Sequence, residues 1–132
     1  MNETKTILFA CRQNAGRSQM AAAIARKLAP ESMEILSAGT EPASEIHSEV
    51  VVALAEIGLE PFAPNPRVLE PEDVKRSDWV VTMGCGEACP VFPGKHYLDW
   101  EVGDPAGKTL EEVRAIRDDI EDRVRQLLAD LG

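Results

Sequence analysis

The sequence predicts an α/β domain of three layers, α-β-α, around a four-stranded parallel sheet. Three observations carry that reading. Apolar runs of strand length alternate with helical patterns in the order β-α-β-α-(α)-β-loop-β-α, which yields a parallel sheet with helices on both faces. The first run is almost wholly apolar, as in a strand buried on both sides. The chain has 132 residues, 44% hydrophobic and 28% charged, which suits one globular domain (residues 1–132) with a single core.

Thr6 to Ala10 reads as the first strand and ends at Cys11. Ser18 to Leu28 is alanine-rich with strong helix formers, closed by Pro30. Glu34 to Ala38 is a second strand, stopped by Gly39. From His47 to Ile57, Val50, Val51, Leu54 and Ile57 recur at helical spacing before Gly58. Four prolines make 60–71 a loop, and 70–76 one short helix. Asp78 to Met83 is a third strand, and Gly84 to Gly94, with two cysteines, three glycines and two prolines, is a loop or frayed helical turn. Tyr97-Leu98 belongs to a short fourth strand. Thr109 to Leu131 is the longest helix, with an apolar stripe from Leu110 through Val113, Ile116, Ile120, Val124 and Leu127 to Leu131.

A net charge of −9 and a pI near 4.7 argue against a nucleic-acid binder, which needs a basic face. No apolar run is long enough to span a membrane, and the N-terminus does not read as a secretory signal. Three cysteines without such a signal point to reduced thiols in the cytoplasm. The acidity is uneven. Residues 1–29 carry one acid and five bases, so this segment can hold a small anion at close range while the rest of the surface is acidic.

That basic segment contains Cys-Arg-Gln-Asn-Ala-Gly-Arg-Ser, residues 11–18, between a buried strand and a helix. A tight loop entering a helix turns successive N–H groups inward and cradles a tetrahedral oxyanion. Arg12, Gln13, Asn14, Ala15 and Gly16 would supply the cradle, with Gly16 permitting the turn. Arg17 would grip two oxygens with its planar fork. Cys11 would lie beneath the anion as a thiolate favoured by these groups; Ser18 would donate to it and Asn14 would fix the loop's shape. This is not a Walker loop, which needs Gly-Lys-Ser/Thr and no nucleophile. The alternative is a buried structural cysteine before an ordinary helix start.

Cys11, Asn14, Arg17 and Ser18, followed by Gln19-Met20-Ala21, resemble the active-site loop of the low-molecular-weight protein tyrosine phosphatase superfamily, and within it the arsenate reductases. Phosphatases there typically continue Ser-Pro-Met-Ala. The resemblance extends through Ser37-Ala38-Gly39-Thr40, Val80-Val81-Thr82-Met83 and Asp99-Trp100 to Asp104-Pro105-Ala106-Gly107, nearly the whole chain. It implies the fold above, an arsenate- or phosphate-like substrate, and Asp104 as general acid for the departing oxygen. Ala106 and Gly107 stand where phosphatases tend to carry tyrosines beside the Asp-Pro.

Cys85 and Cys89 separate reduction from hydrolysis, because a phosphatase needs one cysteine and a reductase must supply two electrons. The resemblance implies that Cys11 attacks arsenate and Cys85 attacks the Cys11 adduct, releasing arsenite. Cys89 then attacks Cys85, leaving a Cys85–Cys89 disulfide for thioredoxin to reduce. At helical i, i+4 spacing their Cα atoms would be ~6 Å apart, in the outer part of the disulfide range, so bonding would distort the segment. Better-known thioredoxin-coupled relatives place more residues between these cysteines than Gly86-Glu87-Ala88. Some relatives instead use mycothiol with a glutaredoxin-like protein, and the long final helix resembles that actinobacterial branch. The competing readings are a tyrosine phosphatase and a thiol protein binding arsenite or zinc, the latter through Cys11, Cys85, Cys89 and His96. Some of these reductases bind potassium beside the loop asparagine; Ala22 replaces the acid expected there, so no metal site is predicted. No bound cofactor, nucleic acid or membrane is expected, and the chain is read as a monomer.

Overall fold

The computed structural model describes residues 5–84 and 95–131. The elements follow as β1 (Lys5–Cys11), α1 (Arg17–Leu28), β2 (Met33–Gly39), α2 (Ser48–Ala55), α3 (Pro71–Lys75), β3 (Trp79–Met83), β4 (His96–Asp99) and α4 (Leu110–Leu131). The strands form one sheet in the order β2-β1-β3-β4, and all three pairings are parallel. β1 is central. Its apolar run reflects cover on both faces: Ile7, Phe9 and Cys11 pack with residues of α1, α2 and α4, while Leu8 and Ala10 pack with Val74 of α3. This is the three-layer α/β architecture with a four-stranded parallel sheet.

The register places the chemistry. Cys11 lies opposite both Gly39 and Met83, so β1, β2 and β3 end level, at the edge where the strand order reverses and ligands bind in such sheets. His96 pairs with Trp79 at the other end of β3 and stacks on it, with ring centroids 4.4 Å apart and 18° between planes. The four-residue step from Trp79 to Met83 spans ~13 Å, so His96 cannot share a metal ion with Cys11. Trp100 instead packs under the site edge, tilted against Phe9 at 5.9 Å.

Helix ends follow local chemistry. α3 begins at Pro71 behind a reciprocal capping box of Glu70 and Asp73. α2 is shorter than the periodicity predicts, because Ile57 and Gly58 donate to Leu54 and Ala55 in a tightened turn, with Gly58 at φ +75°. On α4 the buried stripe includes an unforeseen residue, Arg117, only 9% exposed. It stays charged there because its guanidinium donates to Ala53 O (2.9 Å), Glu56 (2.8 Å) and Asp118 (2.9 Å). Arg114 holds the same Glu56 at 2.6 Å, so one carboxylate clamps α2 to α4.

The hydrogen bonds of Arg114, and after them those of Arg117, hold the Glu56 carboxyl below its ordinary pKa against the opposing effect of burial. A carboxyl depressed in the folded state contributes stability above its unfolded pKa and loses it as pH falls through the folded value. Glu56→Gln should therefore lower the urea midpoint at pH 7, and the gap to the parent should close below pH 4.5. A gap that persisted at pH 2 to 3 would contradict this assignment.

Candidate active site

β1 carries Cys11 to the sheet edge, and the chain then turns through 12–16 into α1. The carbonyls of this turn all face outward. Cys11 O, Arg12 O, Gln13 O and Ala15 O accept from the N–H groups of Thr40, Glu41, Ala43 and His47, at 2.7 to 3.2 Å, and Asn14 O accepts from Gln19 Nε2 at 3.1 Å. With its carbonyls held on one side, the turn presents its N–H groups on the other. Among the described residues, the one N–H of 13–16 with a protein acceptor is that of Asn14, 3.2 Å from Cys11 Sγ. The first turn of α1 contains no acid, so its positive pole faces the same space unneutralised.

Asn14 shapes the turn from its own backbone, at φ +50°, a left-handed conformation that asparagine tolerates better than most residues. Its side chain is buried and joins a directed network. A backbone N–H can only donate, so Ala63 N (3.0 Å) identifies Gln19 Oε1 as an acceptor. Gln19 Nε2 must then face Asn14 O and Oδ1 (3.2 Å). Arg67 N–H, 3.0 Å from Asn14 Oδ1, orients the second amide in the same way. Asn14 Nδ2 therefore donates to Ser18 Oγ and Ser37 Oγ, both at 2.7 Å. Ser18 Oγ already accepts, which leaves its proton for Cys11 Sγ at 2.9 Å. Two donors, Asn14 N–H and Ser18 O–H, thus converge on one buried sulfur.

Arg17 crosses the mouth of the turn. Its side chain is mostly buried, 3.6 Å from Asp104 Oδ2. A Cβ added to Gly84 would lie 2.4 Å from Arg17 Nη1, so the guanidinium rests directly on that glycine, itself at φ +86°. Asp104 is exposed and its Oδ1 accepts the Ala106 N–H at 3.0 Å. Next to it, Pro105 is buried against Gly16, where an added Cβ would meet Pro105 Cγ at 2.4 Å and the His47 ring at 3.3 Å. Gly16 is therefore the seat on which the Asp104 loop lies. Arg17, Gly84, Asp99, Trp100, Glu101 and Val102 line an open cleft beside it.

The structure brings together Cys11, Asn14, Ala15, Gly16, Arg17, Ser18 and Asp104. The Arg12 side chain points away, paired with Glu41 at 3.0 Å, so only its backbone belongs to the turn. Gln13 is held at the rim by His47 Nε2 at 3.2 Å. Cys85 and Cys89 lie outside the described residues. Among the described residues, no group of three His, Cys, Asp or Glu is placed to hold a metal ion, and no helix is long and apolar enough to cross a membrane. Sequence reasoning gave no role to Gln19, Ser37, Gly39 or the backbone of 63–67. Of these, Gly39 left a signal, a glycine directly after an apolar strand: its added Cβ would lie 2.8 Å from both Arg12 O and Asn14 N.

A thiol at the floor of a turn of inward N–H groups, at the end of an interior strand of a parallel sheet, defines the class: an α/β domain with a cysteine beneath a donor-lined turn. The chain belongs to the low molecular weight phosphotyrosine protein phosphatase family, whose profile matches residues 6–132. A Halobacterium salinarum protein provisionally named an arsenate reductase is 42% identical over 124 residues, covering 90% of this chain and 87% of its own. The Synechocystis glutaredoxin arsenate reductase is 29% identical over 131 residues, covering 97% and 99%. The solved Corynebacterium glutamicum thioredoxin-dependent arsenate reductase superposes with a TM-score of 0.85 at 42% identity. The match covers 98% of this chain, which spans 62% of the length of the Corynebacterium one.

Gly39→Ala tests the close approach of β2 to the turn. The methyl would collide with backbone atoms that cannot rotate away, so calorimetric titration with inorganic phosphate should show affinity weakened by roughly tenfold or more, a cost of about 1.4 kcal/mol. Unchanged phosphate affinity would contradict it.

Proposed function

We propose that this protein is an arsenate reductase that works by nucleophilic attack of Cys11 followed by a thiol–disulfide relay through Cys85 and Cys89. The observation that carries the reading is the convergence of two donors on the buried Cys11 sulfur under a turn with its N–H groups facing inward. These two hydrogen bonds, at 2.9 and 3.2 Å, hold the sulfur in place at the floor of the turn. The loop amides of 12–17 and the Arg17 fork bind the oxyanion, and Arg17 also orients it against Asp104.

The chemistry then runs in order. Cys11 sulfur bonds to arsenic, and one oxygen leaves as water or hydroxide with the proton of Asp104. Cys85 sulfur attacks Cys11 sulfur, forming a disulfide. The sulfur–arsenic bond breaks with its electron pair left on arsenic, which departs as arsenite, reduced by two electrons. Cys89 displaces Cys11 from Cys85, restoring the nucleophile and leaving a Cys85–Cys89 disulfide. An external dithiol returns both electrons. The thioredoxin-dependent relative supports thioredoxin in that role; the glutaredoxin-named relative supports a glutaredoxin-like partner, the protein with which the alternative mycothiol route would work. Either requires a reducing compartment, the cytoplasm.

Hydrolysis of phosphotyrosine, after which the family is named, is less well supported. Beside Asp104 and Pro105 the chain offers Ala106 and Gly107, neither of which carries a ring to stack on a tyrosyl group.

The test is arsenate turnover with thioredoxin and its reductase, run beside a mycothiol system. Cys11→Ser should abolish all activity. Cys85→Ser and Cys89→Ser should each lose multiple turnover, while Cys85→Ser keeps weak hydrolysis of an aryl phosphate. Sustained arsenate turnover in both variants would sink the relay.

A further inference from the structure

Arg67 and Asp73 lie away from the thiol, on the loop between α2 and α3 and on α3 itself, and no step of the reaction uses them. Their ion pair is bidentate: Arg67 Nη1 and Nη2 donate to Asp73 Oδ2 and Oδ1, both at 2.9 Å. Asp73 is nearly buried and also accepts the Glu70 N–H at 2.8 Å, which ties it to the start of α3. Through this pair the guanidinium anchors a residue whose backbone does something specific. Arg67 N–H is the donor that identifies Asn14 Oδ1 as an acceptor, at 3.0 Å, and so turns Asn14 Nδ2 toward Ser18 and Ser37.

We propose that the Arg67–Asp73 ion pair is a positioning device for the reaction, holding the Arg67 N–H on Asn14 so that the Asn14–Ser18–Cys11 chain donates toward the sulfur. Arg67 and Asp73 are positioning residues; neither touches the reacting atoms. The inference rests on the reading of Cys11 as the nucleophile. Its logic is directional. Were the Arg67 N–H to withdraw, Asn14 Oδ1 would keep only the Gln19 amide, itself oriented at second hand by Ala63 N–H, and the Asn14 amide would lose the one backbone donor bonded directly to its oxygen. Ser18 could then accept from elsewhere or turn its proton aside. The sulfur would keep the Asn14 N–H and lose the hydroxyl.

Two further observations bear on the pair. Burial opposes the Asp73 charge, yet the Arg67 hydrogen bonds, the Glu70 N–H and the charges of Arg67 and Arg76 outweigh it and hold the carboxyl below its ordinary pKa, so the pair stays ionised at neutral pH. The same segment is also tied to β2, where Gly39 N donates to Arg67 O at 2.9 Å and Leu69 N to Gly39 O at 2.8 Å. Those two bonds are the competing anchor. If they alone hold the segment, the ion pair is surface stabilisation and its loss leaves the thiol unaffected.

The experiment separates these. In Cys85→Ser/Cys89→Ser protein Cys11 is the single thiol, and its alkylation by iodoacetamide at pH 7 reads nucleophilicity directly. Arg67→Ala and Asp73→Asn should each slow alkylation about tenfold, the scale of one weakened hydrogen bond to a charged group. Arg67→Lys, which keeps the charge without the fork, should recover part of the rate. Affinity for inorganic phosphate, which depends on Arg17 and the loop amides, should stay within about twofold of the parent on the same scale. Alkylation at the parent rate in both variants overturns the proposal. So does a loss of phosphate affinity equal to the loss of alkylation, since the segment would then support the whole turn and not the donor to sulfur. Arsenate appears in neither readout, so the result stands apart from the reductase reading.

Discussion

The left-handed backbone of Asn14 is the constraint around which the rest of the site is arranged. The turn that takes the chain from β1 into α1 passes through Asn14 at φ +50°, and at a residue with a Cβ that costs on the order of 1–2 kcal/mol. The cost is offset because Asn14 is also the best-bonded side chain nearby, with Gln19, Arg67, Ser18 and Ser37 all engaged. At about 0.5–1.5 kcal/mol net per bond, four such bonds outweigh the strain. The turn is therefore stable without an anion in it. That matters for catalysis, because donors already aimed at their target need no rearrangement when the substrate arrives.

The same constraint explains why the surroundings carry so little freedom. Gly39 must lack a side chain because Asn14 N and Arg12 O lie against it, and Gly16 because Pro105 does. Strand β2, the loop before α3, and the Asp104 segment thus meet one short turn from three directions. The three are far apart in sequence, and none makes a site alone. Their convergence follows from the parallel register, which ends β1, β2 and β3 at a common level.

Charge is organised on the same principle. A chain of net charge −9 repels anions at long range, yet the Cys11 turn, with its inward N–H groups, lies in a segment with a local excess of bases. Two of those bases are used differently: Arg17 is held over the turn by Gly84 and Asp104, whereas Arg12 is spent on Glu41 outside it. Short-range donors and a helix N-terminus set the local field there, which net charge does not.

The strands, α1 and the amphipathic stripe of α4 were legible in the sequence because burial imposes a period on it, and a parallel sheet buried on both faces turns that period into continuous apolar runs. That Cys11, Arg17 and Ser18 share one turn was legible because a tight strand-to-helix connection brings residues at fixed offsets together. Nothing periodic or local marks Gln19 as an orienting amide, Ser37 as an acceptor, Arg117 as a buried clamp, or the Arg67 N–H as a second donor to the Asn14 side chain. Backbone N–H groups are invisible in a sequence, and bonds between residues 23, 44 or 53 positions apart exist only once the sheet has set the distances. The sequence by itself determined the order of elements, the place of Cys11 at a strand end and the presence of three cysteines. The direction of the hydrogen bonds that reach the sulfur was decided by the tertiary structure, because the polarity of an amide network is set by whichever fixed donors the fold places beside it.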